Sequence, residues 1–504
     1  MAVPKVLGIE TEYGIHAISA ESNPTSASSL LINAYVADLA GKIGWDFEDE
    51  SPGQDARGFV RDGNAAPEIE THLVNTVLTN GARYYVDHAH PEYSSPECSN
   101  VRELLTFDRA GEVILQRSMA AAKRVLPAGD EIVIYKNNSD GKGNSYGCHE
   151  NYLLHRELPF ARIAREFTVH LVTRQVYTGA GKVGCEEEGS RRRGFELSQR
   201  ADFFEEEVGL ETTLKRPIIN TRDEPHSDPG RYRRLHVITG DANLAEVAAF
   251  LKVGVSAIVL CLIEDDALTA RELVLAQPVR AMHDVSHDLS LQLPLELVSG
   301  QRMTAIELQW ELFDLARKYA DERGLEALGP EAVGEEVLER WESVLVDLEN
   351  DPAQLKRQLD WVAKRELIDA YCARHDCPED DHRVQALDLQ YHDLRPERSL
   401  FARLNMERLI SEEEVLAAIT DPPRTTRAYF RGECLKRFAK YIVAANWDSI
   451  IFDLGEGPLR RVPMMDPLRG SSGHVDTLLA ESKSPHELID RLGGSSPVDP
   501  TFGA

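Results

Sequence analysis

The sequence is poor in positive charge. Its 504 residues contain 56 lysines and arginines against 84 acids, which gives a formal net charge of −28. A charge of this sign and size repels phosphate backbones and anionic lipid surfaces, so we expect neither nucleic acid nor a membrane as the main partner. With 42% hydrophobic and 28% charged residues, the composition is otherwise that of a folded globular protein.

Cysteines are few and scattered. There are seven of them in the whole chain, and this odd number favours reduced thiols in a cytoplasm over a disulfide framework. Cys372, His375 and Cys377 lie close enough in sequence to suggest zinc. A second pair of ligands is missing there, however, so surface thiols at a helix end are the favoured interpretation.

Long apolar runs are also missing. The most apolar window, residues 253–263, is only eleven residues long between Lys252 and Glu264, so it predicts a buried helix and no membrane span. The first ten residues, MAVPKVLGIE, have no apolar run after the lysine, and we expect no signal peptide. The sequence shows no internal repeat, and its glycine-rich stretch SDGKGNSYG lacks the spacing of a P-loop.

The order of the patterns predicts an α+β fold. Short strand-like runs alternate with turns in the first third, where residues 28–43 are predicted to form a helix, and from about residue 243 the pattern becomes helical. The predicted strands lie at 5–15, 82–90, 131–138, 151–158, 170–179, 194–204 and 233–241. We expect a catalytic domain over residues 1–425, a small C-terminal domain over 426–504, and a long, acid-rich, mobile surface loop over 43–80.

Alternation along four of the strands places polar side chains on one face. These sets are Gly8, Glu10, Glu12 and Gly14; Arg83, Tyr85 and Asp87; His149 and Asn151; and Tyr232, Arg234 and His236. Simple exposure to solvent would explain polar faces in a half-buried sheet. Acids, imidazoles and arginines are nevertheless an unusual choice for that purpose, and glycines 8 and 14 would let a ligand approach the backbone. The pattern favours Mg²⁺ and a polyphosphate, hence nucleotide chemistry.

The same alternation makes a prediction for the two histidines that follow Asp87. His88 and His90 are expected on the face away from Asp87, as structural hydrogen-bonding residues.

Several long motifs resemble one protein family. They include GIETEYG, NGARYYVDHAHPEYSSPEC, YKNNSDGKGNSYGCHENYL, RYRRLHVITGDANLAE, TTRAYFRGECL and NWDSIIFD. These stretches resemble the Pup-processing enzymes of actinobacteria, a family with a ligase branch and a depupylase branch within the glutamine synthetase-like carboxylate-amine ligases. The resemblance implies a curved antiparallel sheet that cradles ATP and Mg²⁺, helices that back the sheet, and a small C-terminal domain.

Two features of the sequence resemble the depupylase branch. The ligase branch has a short connection after its first helix and a DVGSHPEY pattern, whereas this chain has the long acidic loop and reads VDHAHPEY. The resemblance therefore implies hydrolysis of the isopeptide bond between the C-terminal glutamate of Pup and a substrate lysine, together with deamidation of a C-terminal glutamine of Pup. Pup ligation is the alternative, and a non-catalytic Pup-binding scaffold is a third, less favoured possibility.

The resemblance also assigns roles to individual residues. Asp87 is implied to be the catalytic carboxylate, as nucleophile or as general base. The implied metal-ligand positions are Glu10, Tyr85 and Glu92, with His149 and His236 as further candidates. The implied ATP-binding residues are Gly8, Ile9, Thr11, Glu12, Arg83, Ser94, Ser95, Asn151, Arg234 and Trp447, with Trp447 against the adenine and Arg83 at a phosphate. Because amide hydrolysis is downhill in water, ATP is expected to act chiefly as a cofactor that shapes the site.

The implied partners are Pup and pupylated proteins, with a link to the proteasome pathway. Arg200, Lys215 and Arg216, with the arginines at 191–193, form the one basic cluster in the sequence. Two interpretations remain open for this cluster, a solvated surface and a groove that docks the acidic, largely disordered Pup. The loop at 43–80 is expected to fold over the nucleotide and tune turnover.

Overall fold

The computed structural model describes residues 1–18, 23–39, 42–48, 50–60, 74–184, 194–268, 272–455 and 457–493. In these residues the strands are β1 (Leu7–Glu12), β2 (Gly14–Ile18), β3 (Ile43–Trp45), β4 (Asn75–Val77), β5 (Arg83–Asp87), β6 (His90–Ser94), β7 (Glu131–Tyr135), β8 (Cys148–His155), β9 (Lys182–Val183), β10 (Phe195–Glu196), β11 (Phe204–Gly209), β12 (Arg216–Asn220), β13 (Tyr232–Val237), β14 (Leu295–Glu296), β15 (Arg302–Met303), β16 (Ile442–Ala445), β17 (Ser449–Phe452) and β18 (Arg460–Pro463).

Two helices of the described residues precede residue 130, and the others begin at residue 160 or later. They are α1 (Pro24–Val36), α2 (Val101–Val125), α3 (Phe160–Thr173), α4 (Gln175–Thr178), α5 (Glu246–Glu264), α6 (Pro278–His287), α7 (Ala305–Arg323), α8 (Glu331–Asn350), α9 (Asp360–His375), α10 (His382–Tyr391), α11 (Glu412–Ala418), α12 (Ala428–Phe438), α13 (Ser472–Glu481) and α14 (Pro485–Arg491).

A curled sheet of ten strands organises the molecule. Its order is β13-β8-β1-β6-β5-β4-β3-β16-β17-β18, and every neighbouring pair is antiparallel except β3 with β16. Helices α1, α2 and α5 pack against its first strands on one side. The predicted α+β architecture, a curved antiparallel sheet backed by helices, is confirmed.

Local sequence explains the helices that support this sheet. Asn100 caps α2 by accepting a hydrogen bond from the amide of Glu103 at 3.0 Å, and a capping box between Thr304 and Glu307 starts α7. Helix α5 is apolar on all sides and is buried from Glu246 to Ile263, which explains why it lies in the centre of the core. This 19-residue helix is the one described helix long and apolar enough to cross a bilayer, and all of it lies inside the protein.

Two predictions of secondary structure were wrong, and one long helix was missed. The missed helix is the 25-residue α2, for which neither a helix nor a strand was predicted. Residues 170–179, predicted as a strand, belong to helices α3 and α4, because burial on every side gives a helix and a strand the same apolar pattern. Both ends of the predicted mobile loop, β3 and β4, are strands of the main sheet; residues 61–73 of that loop lie outside the described residues.

A second, smaller apolar core lies at the C-terminal end of the chain. It joins side chains of α12 to α14 and β16 to β18 with Ile43, Trp45 and Val77 of β3 and β4. The strands β16 to β18 also extend the main sheet, to which they connect through β3. The division into domains 1–425 and 426–504 stays a prediction.

Candidate active site

The polar residues predicted from alternation meet on one face of five adjacent strands, β13, β8, β1, β6 and β5. Cross-strand neighbours in an antiparallel pair point to the same side of the sheet. The register places Glu10 opposite both His149 and Ser94, and Glu92 opposite both Glu12 and Tyr85. The structure therefore gathers these residues over one hollow, on the side of the sheet away from the helices.

Three acids form the first group of possible metal ligands. Carboxylate oxygens of Glu12, Asp87 and Glu92 all lie within 4.8 Å of one another. Glu12 accepts a hydrogen bond from the amide of Gly147 at 2.9 Å. A Cβ atom at Gly147 would lie 2.2 Å from Nε2 of His149 and 2.8 Å from Oε1 of Glu12, so a glycine is required for these side chains to come together.

The electrostatics of the acid group fit a hard divalent cation. Burial, and then the negative charges of Asp87 and Glu12, raise the pKa of Glu92 well above its usual range. Burial also works to raise the pKa of Glu12, but the hydrogen bond and charge of His90 and the charge of His149 hold it at about 2. Such crowded carboxylate oxygens are the ligands that Mg²⁺ prefers, and a cation here would relieve their mutual repulsion.

Glu10, His149 and His236 form the second group, with ligand atoms within 4.8 Å of one another. Oε2 of Glu10 lies 3.6 Å from Nδ1 of His149. Asn151 organises the group: its Nδ2 donates to Glu10 at 2.7 Å, and its Oδ1 accepts from Arg234 at 2.8 Å and lies 3.1 Å from Nδ1 of His236. Burial would raise the pKa of Glu10, but the hydrogen bond of His149 and the charges of His236 and Arg234 hold it well below its usual range.

The resemblance implied metal-ligand positions at Glu10, Tyr85 and Glu92, and the possible ligands in the structure fall into two groups. Glu12, assigned to the nucleotide, lies in the acid group instead, and its position on the same strand face as Glu10 was the signal for this. Tyr85 is buried beside Glu92, and its hydroxyl accepts a hydrogen bond from Ser94 at 3.4 Å. Burial and the charge of Glu92 raise the pKa of Tyr85 well above its usual range, so its hydroxyl is neutral.

A cleft opens beside the second group, and Glu10 of that group is one of its lining residues. Its walls include seven residues that the sequence assigned to ATP, namely Gly8, Ile9, Ser94, Ser95, Asn151, Arg234 and Trp447. Thr11 is not among them. Alternation turns its side chain to the helix side of the sheet, where its hydroxyl lies 3.7 Å from the sulfur of Cys148.

The wall around Trp447 contains charged residues that the site prediction missed. Glu97 accepts hydrogen bonds from Arg427 and from Arg431, and Arg431 also donates to the backbone carbonyl of Trp447 at 2.9 Å. Although burial works to raise it, the charges of Arg431 and Arg427 hold the pKa of Glu97 at about 2. Both arginines belong to the stretch TTRAYFRGECL, which was a motif without an assigned role.

Arg83 lies outside the cleft in a stack of aromatic rings. Its guanidinium is 4.0 Å from the centroid of Trp45 and 3.9 Å from that of Tyr85, and Nε donates to Asn75 at 3.0 Å. Trp45 in turn meets Trp447 edge to face at 5.2 Å. The phosphate contact of Arg83 stays a prediction.

The described part of the 43–80 segment docks beside the cleft. The amide of Ser51 donates to Glu224 at 2.5 Å, and Asp55 accepts from the hydroxyl of Thr221 at 2.6 Å. Glu224 in turn lies 3.7 Å from Arg234, which lines the cleft. Residues 51 and 55 are thus connected to the cleft indirectly, through Glu224 and Arg234.

The prediction for His88 and His90 was wrong. Asp87 and His90 are register partners in the β5–β6 hairpin, so they share a face, because the two-residue connection reverses the chain and restarts the alternation. Nδ1 of His90 lies 3.6 Å from Glu12, and Nδ1 of His88 lies 3.0 Å from Oδ2 of Asp87. The prediction for Gly14 was also wrong, since Asn137 and Tyr146 fill the space over it.

The predicted basic cluster is only partly a surface. Lys215 is exposed and Arg216 is half-buried, whereas Arg200 is 1% exposed and donates to the carbonyl of Ile238 and the hydroxyl of Ser145. Burial and the charge of Arg216 lower the pKa of Arg200 to about 10. Residues 191–193 lie outside the described residues.

Comparison with known proteins connects this site to one family. The model of the Pup-ligase protein family matches residues 5–451. The chain is 51% identical to a depupylase of Acidothermus cellulolyticus and 47% identical to a Pup deamidase/depupylase of Mycobacterium tuberculosis, in each case over 97% of this chain and 99% of the relative. It is 40% identical to a Pup–protein ligase of Kineococcus radiotolerans, over 80% of this chain and 90% of the relative.

Two solved structures of a Pup ligase share the fold. The complex between Pup and its ligase PafA superposes with a TM-score of 0.78 at 32% identity, covering 95% of this chain and 91% of that chain. The structure of PafA in complex with ADP gives a TM-score of 0.74 at 37% identity, covering 81% of this chain and 89% of that chain.

Proposed function

The chain belongs to the Pup-ligase protein family, and on that premise we propose that it hydrolyses amide bonds made by Pup. The substrates are the isopeptide bond between the C-terminal glutamate of Pup and a protein lysine, and the side-chain amide of a C-terminal glutamine of Pup. Support comes from the higher identity to depupylases than to the ligase, 51% and 47% against 40%.

One structural observation carries the proposal. Asp87 ends β5 beside the acids Glu12 and Glu92, and its side chain is 39% exposed. The side chain of Glu12 is 12% exposed, and Glu92 is 3% exposed. Asp87 is therefore the one member of the acid group that a polypeptide substrate can reach from solvent. A reachable carboxylate next to a cation site is suited to attack a carbonyl carbon or to activate water.

The two ligand groups have separate tasks in this proposal. Glu12 and Glu92 would hold Mg²⁺, with Glu10, His149 and His236 as a second set. Bound Mg²⁺ with ATP would supply positive charge for the phosphates and for the oxygen of the scissile amide. The cleft walls at Gly8, Ser95 and Trp447 would hold the nucleotide, which is expected as a cofactor because amide hydrolysis needs no activated phosphate.

The chemical step then needs only one carboxylate of the chain. Asp87 attacks the side-chain carbonyl carbon of the C-terminal residue of Pup, or it takes a proton from a water that attacks there. The C–N bond breaks as the nitrogen takes up a proton, and it leaves as ammonia or as the lysine amine. Where Asp87 is the nucleophile, water then hydrolyses the anhydride between Asp87 and the glutamate side chain, which restores the carboxylate. Arg216, which is half-buried and close to Glu12, is suited to bind an acidic group of Pup, whereas the buried Arg200 would support the charge of this region from below the surface.

An ammonia assay tests this function. Protein, ATP, Mg²⁺ and Pup ending in glutamine are mixed, and free ammonia is measured for the wild type and for Asp87→Asn. We expect release by the wild type that is abolished in the variant. Absence of release by the wild type would contradict the proposal, and conjugation of Pup ending in glutamate to a lysine protein would establish the ligase alternative.

A further inference from the structure

The backbone at His88, directly after the candidate catalytic carboxylate, has an unusual conformation. His88 and Ala89 connect β5 to β6, and His88 has φ 52°. Residues other than glycine seldom adopt a positive φ, and histidine does so at some cost. A residue that costs stability at a tight turn beside a site is a candidate for a functional role, because glycine would suit the turn itself better.

This conformation brings the imidazole to the carboxylate. Nδ1 of His88 lies 3.0 Å from Oδ2 of Asp87, although successive residues of a strand point to opposite sides. An ionised carboxylate only accepts hydrogen bonds, so a contact of this length requires the proton of the neutral ring to be on Nδ1. The other oxygen of Asp87 is then free to face the hollow.

Helix α1 holds the connection in place from outside the nucleotide cleft. The hydroxyl of Ser28 donates to the carbonyl of Ala89 at 2.7 Å, and that of Thr25 donates to the carbonyl of His88 at 3.3 Å. Asn23 caps this helix by accepting from the amide of Ser26 at 3.1 Å. Two of these hydrogen bonds hold the connection and the third starts the helix, and together they fix the position of the imidazole.

The pair lies where a protein substrate would arrive. Side chains of His88 and Asp87 are 62% and 39% exposed, whereas Glu92 is buried. A carboxylate at such an open edge has free rotation unless a neighbour holds it, and His88 is a neighbour that contacts it directly.

We propose that His88 is a positioning residue for Asp87: its Nδ1–H holds Oδ2 and thereby orients the other oxygen toward the amide carbon of the substrate. This inference rests on the proposed function. Misplacement of a reacting group lowers the rate of the chemical step more than it lowers substrate binding. His88 therefore contributes to kcat and hardly to the KM for Pup.

Three variants at this position separate the hydrogen bond from the turn. Asn tolerates a positive φ and carries a donor close to the position of Nδ1, Gly tolerates the turn without a donor, and Ala has neither property. We expect His88→Gly to lower kcat by about tenfold to a hundredfold with unchanged KM and unchanged binding of ATP. His88→Asn should recover to within about threefold of the wild type, and His88→Ala should be as slow as His88→Gly.

The kinetic results decide the proposal in both directions. Wild-type kcat in His88→Gly would overturn it, because the histidine would then serve the turn alone. An equal loss in His88→Asn and His88→Gly would also overturn it, because the donor would then have no role. A rise in KM at constant kcat would assign His88 to substrate binding and overturn the positioning role.

A second readout does not depend on activity. With ¹⁵N-histidine labelling at pH 8, the nitrogen shifts of His88, identified by their loss in His88→Asn, report which ring nitrogen carries the proton. We expect the Nδ1–H form in the wild type and a shift toward Nε2–H in Asp87→Ala. An Nε2–H ring in the wild type would overturn the proposal. If the wild type were inactive on Pup substrates while this shift occurred, the proposed function would fail and the contact would stand.

Discussion

Glu12 and Glu92 stand directly opposite each other on β1 and β6, yet the site moves their pKa values in opposite directions. Glu12 has the amide of Gly147 and the ring of His90 as partners, whereas Glu92 is buried against the negative charges of Asp87 and Glu12. The protein thus favours the charged form of Glu12 and disfavours the charged form of the neighbouring Glu92. A bound cation resolves this conflict, and the contrast between the two residues makes it testable.

Glu92→Gln and Glu12→Gln should have opposite effects on the free energy of unfolding without divalent cations. Glu92→Gln removes an acid whose ionisation is penalised by burial beside two like charges, so we expect stabilisation by about 1–3 kcal/mol, while Glu12→Gln should destabilise by a similar amount. Chemical denaturation in EDTA measures both. Added Mg²⁺ should stabilise the wild type and have a much weaker effect on either variant. Equal stabilisation of all three proteins by Mg²⁺ would place the cation elsewhere.

Glu97→Gln should destabilise the protein and weaken nucleotide binding together. The change leaves two buried guanidinium groups, Arg427 and Arg431, without their counter-charge, and we expect a loss of about 3 kcal/mol in the free energy of unfolding. The exposed pair of Glu481 and Arg491 supplies the control, since Glu481→Gln should cost less than about 0.5 kcal/mol. Comparable losses in both variants would show that Glu97 does not hold the wall of the cleft.

Acid lability around the cleft follows from His226. Burial outweighs the charge of Glu224 and lowers the pKa of His226 to about 3, so the folded protein keeps this ring neutral while the unfolded chain protonates it below about pH 6.5. The contribution of His226 to the free energy of unfolding is therefore complete above pH 6.5 and decreases as the pH drops toward 3. Since His226 has φ 47°, Asn is the matched replacement.

We expect the wild type to lose about 2 kcal/mol more than His226→Asn between pH 7.5 and pH 5, at about 1.4 kcal/mol per unit below pH 6.5. Urea denaturation at several pH values measures the two slopes. Parallel slopes would mean that His226 is protonated equally in both states.

Trp447 should contribute affinity for the nucleotide base. Removal of a ring that stacks on a base costs about 1–3 kcal/mol, so Trp447→Ala should weaken binding of ADP by at least about fivefold. Trp447→Phe keeps an aromatic face and should retain most of the affinity. Calorimetric titration with ADP distinguishes the two, and equal affinity in Trp447→Ala and the wild type would place the base elsewhere.

Detachment of residues 50–57 should change the rate and leave nucleotide binding intact. Asp55 accepts hydrogen bonds from Arg57 and Thr221, and Asp55→Ala removes both. We expect altered turnover with the dissociation constant for ATP within about twofold of the wild type, because the segment does not supply the cleft's principal walls. A large loss of ATP affinity would show that the segment binds the nucleotide directly.

Alternation along short strands was sufficient to predict the face that carries the site. Glu10, Asp87, His149 and His236 come together because period 2 is a property of a single strand and needs no knowledge of its neighbours. The division into two ligand groups could not be predicted in this way, since it depends on register across β8, β1, β6 and β5. The reversal at His88 and Ala89 was missed for a similar reason: hairpin turns restart the alternation, and no glycine marked this one.

Fully buried segments were the second feature that could not be predicted from the sequence. The strand predicted at 170–179 is helical because burial on every side erases the difference between the two periods. The partners of Glu97, which lie more than 300 positions away in the chain, are set by tertiary packing alone. Their motif was visible, but nothing local indicated what it contacts.

The most direct test of the central claim is cleavage of a purified Pup–protein conjugate by the wild type and by Asp87→Asn, with binding of the same conjugate measured in parallel. We expect equal affinity for the conjugate in the presence of ATP and Mg²⁺, steady release of Pup by the wild type, and a rate of release at least about a thousandfold lower in the variant. Cleavage by Asp87→Asn at a rate close to that of the wild type would contradict it.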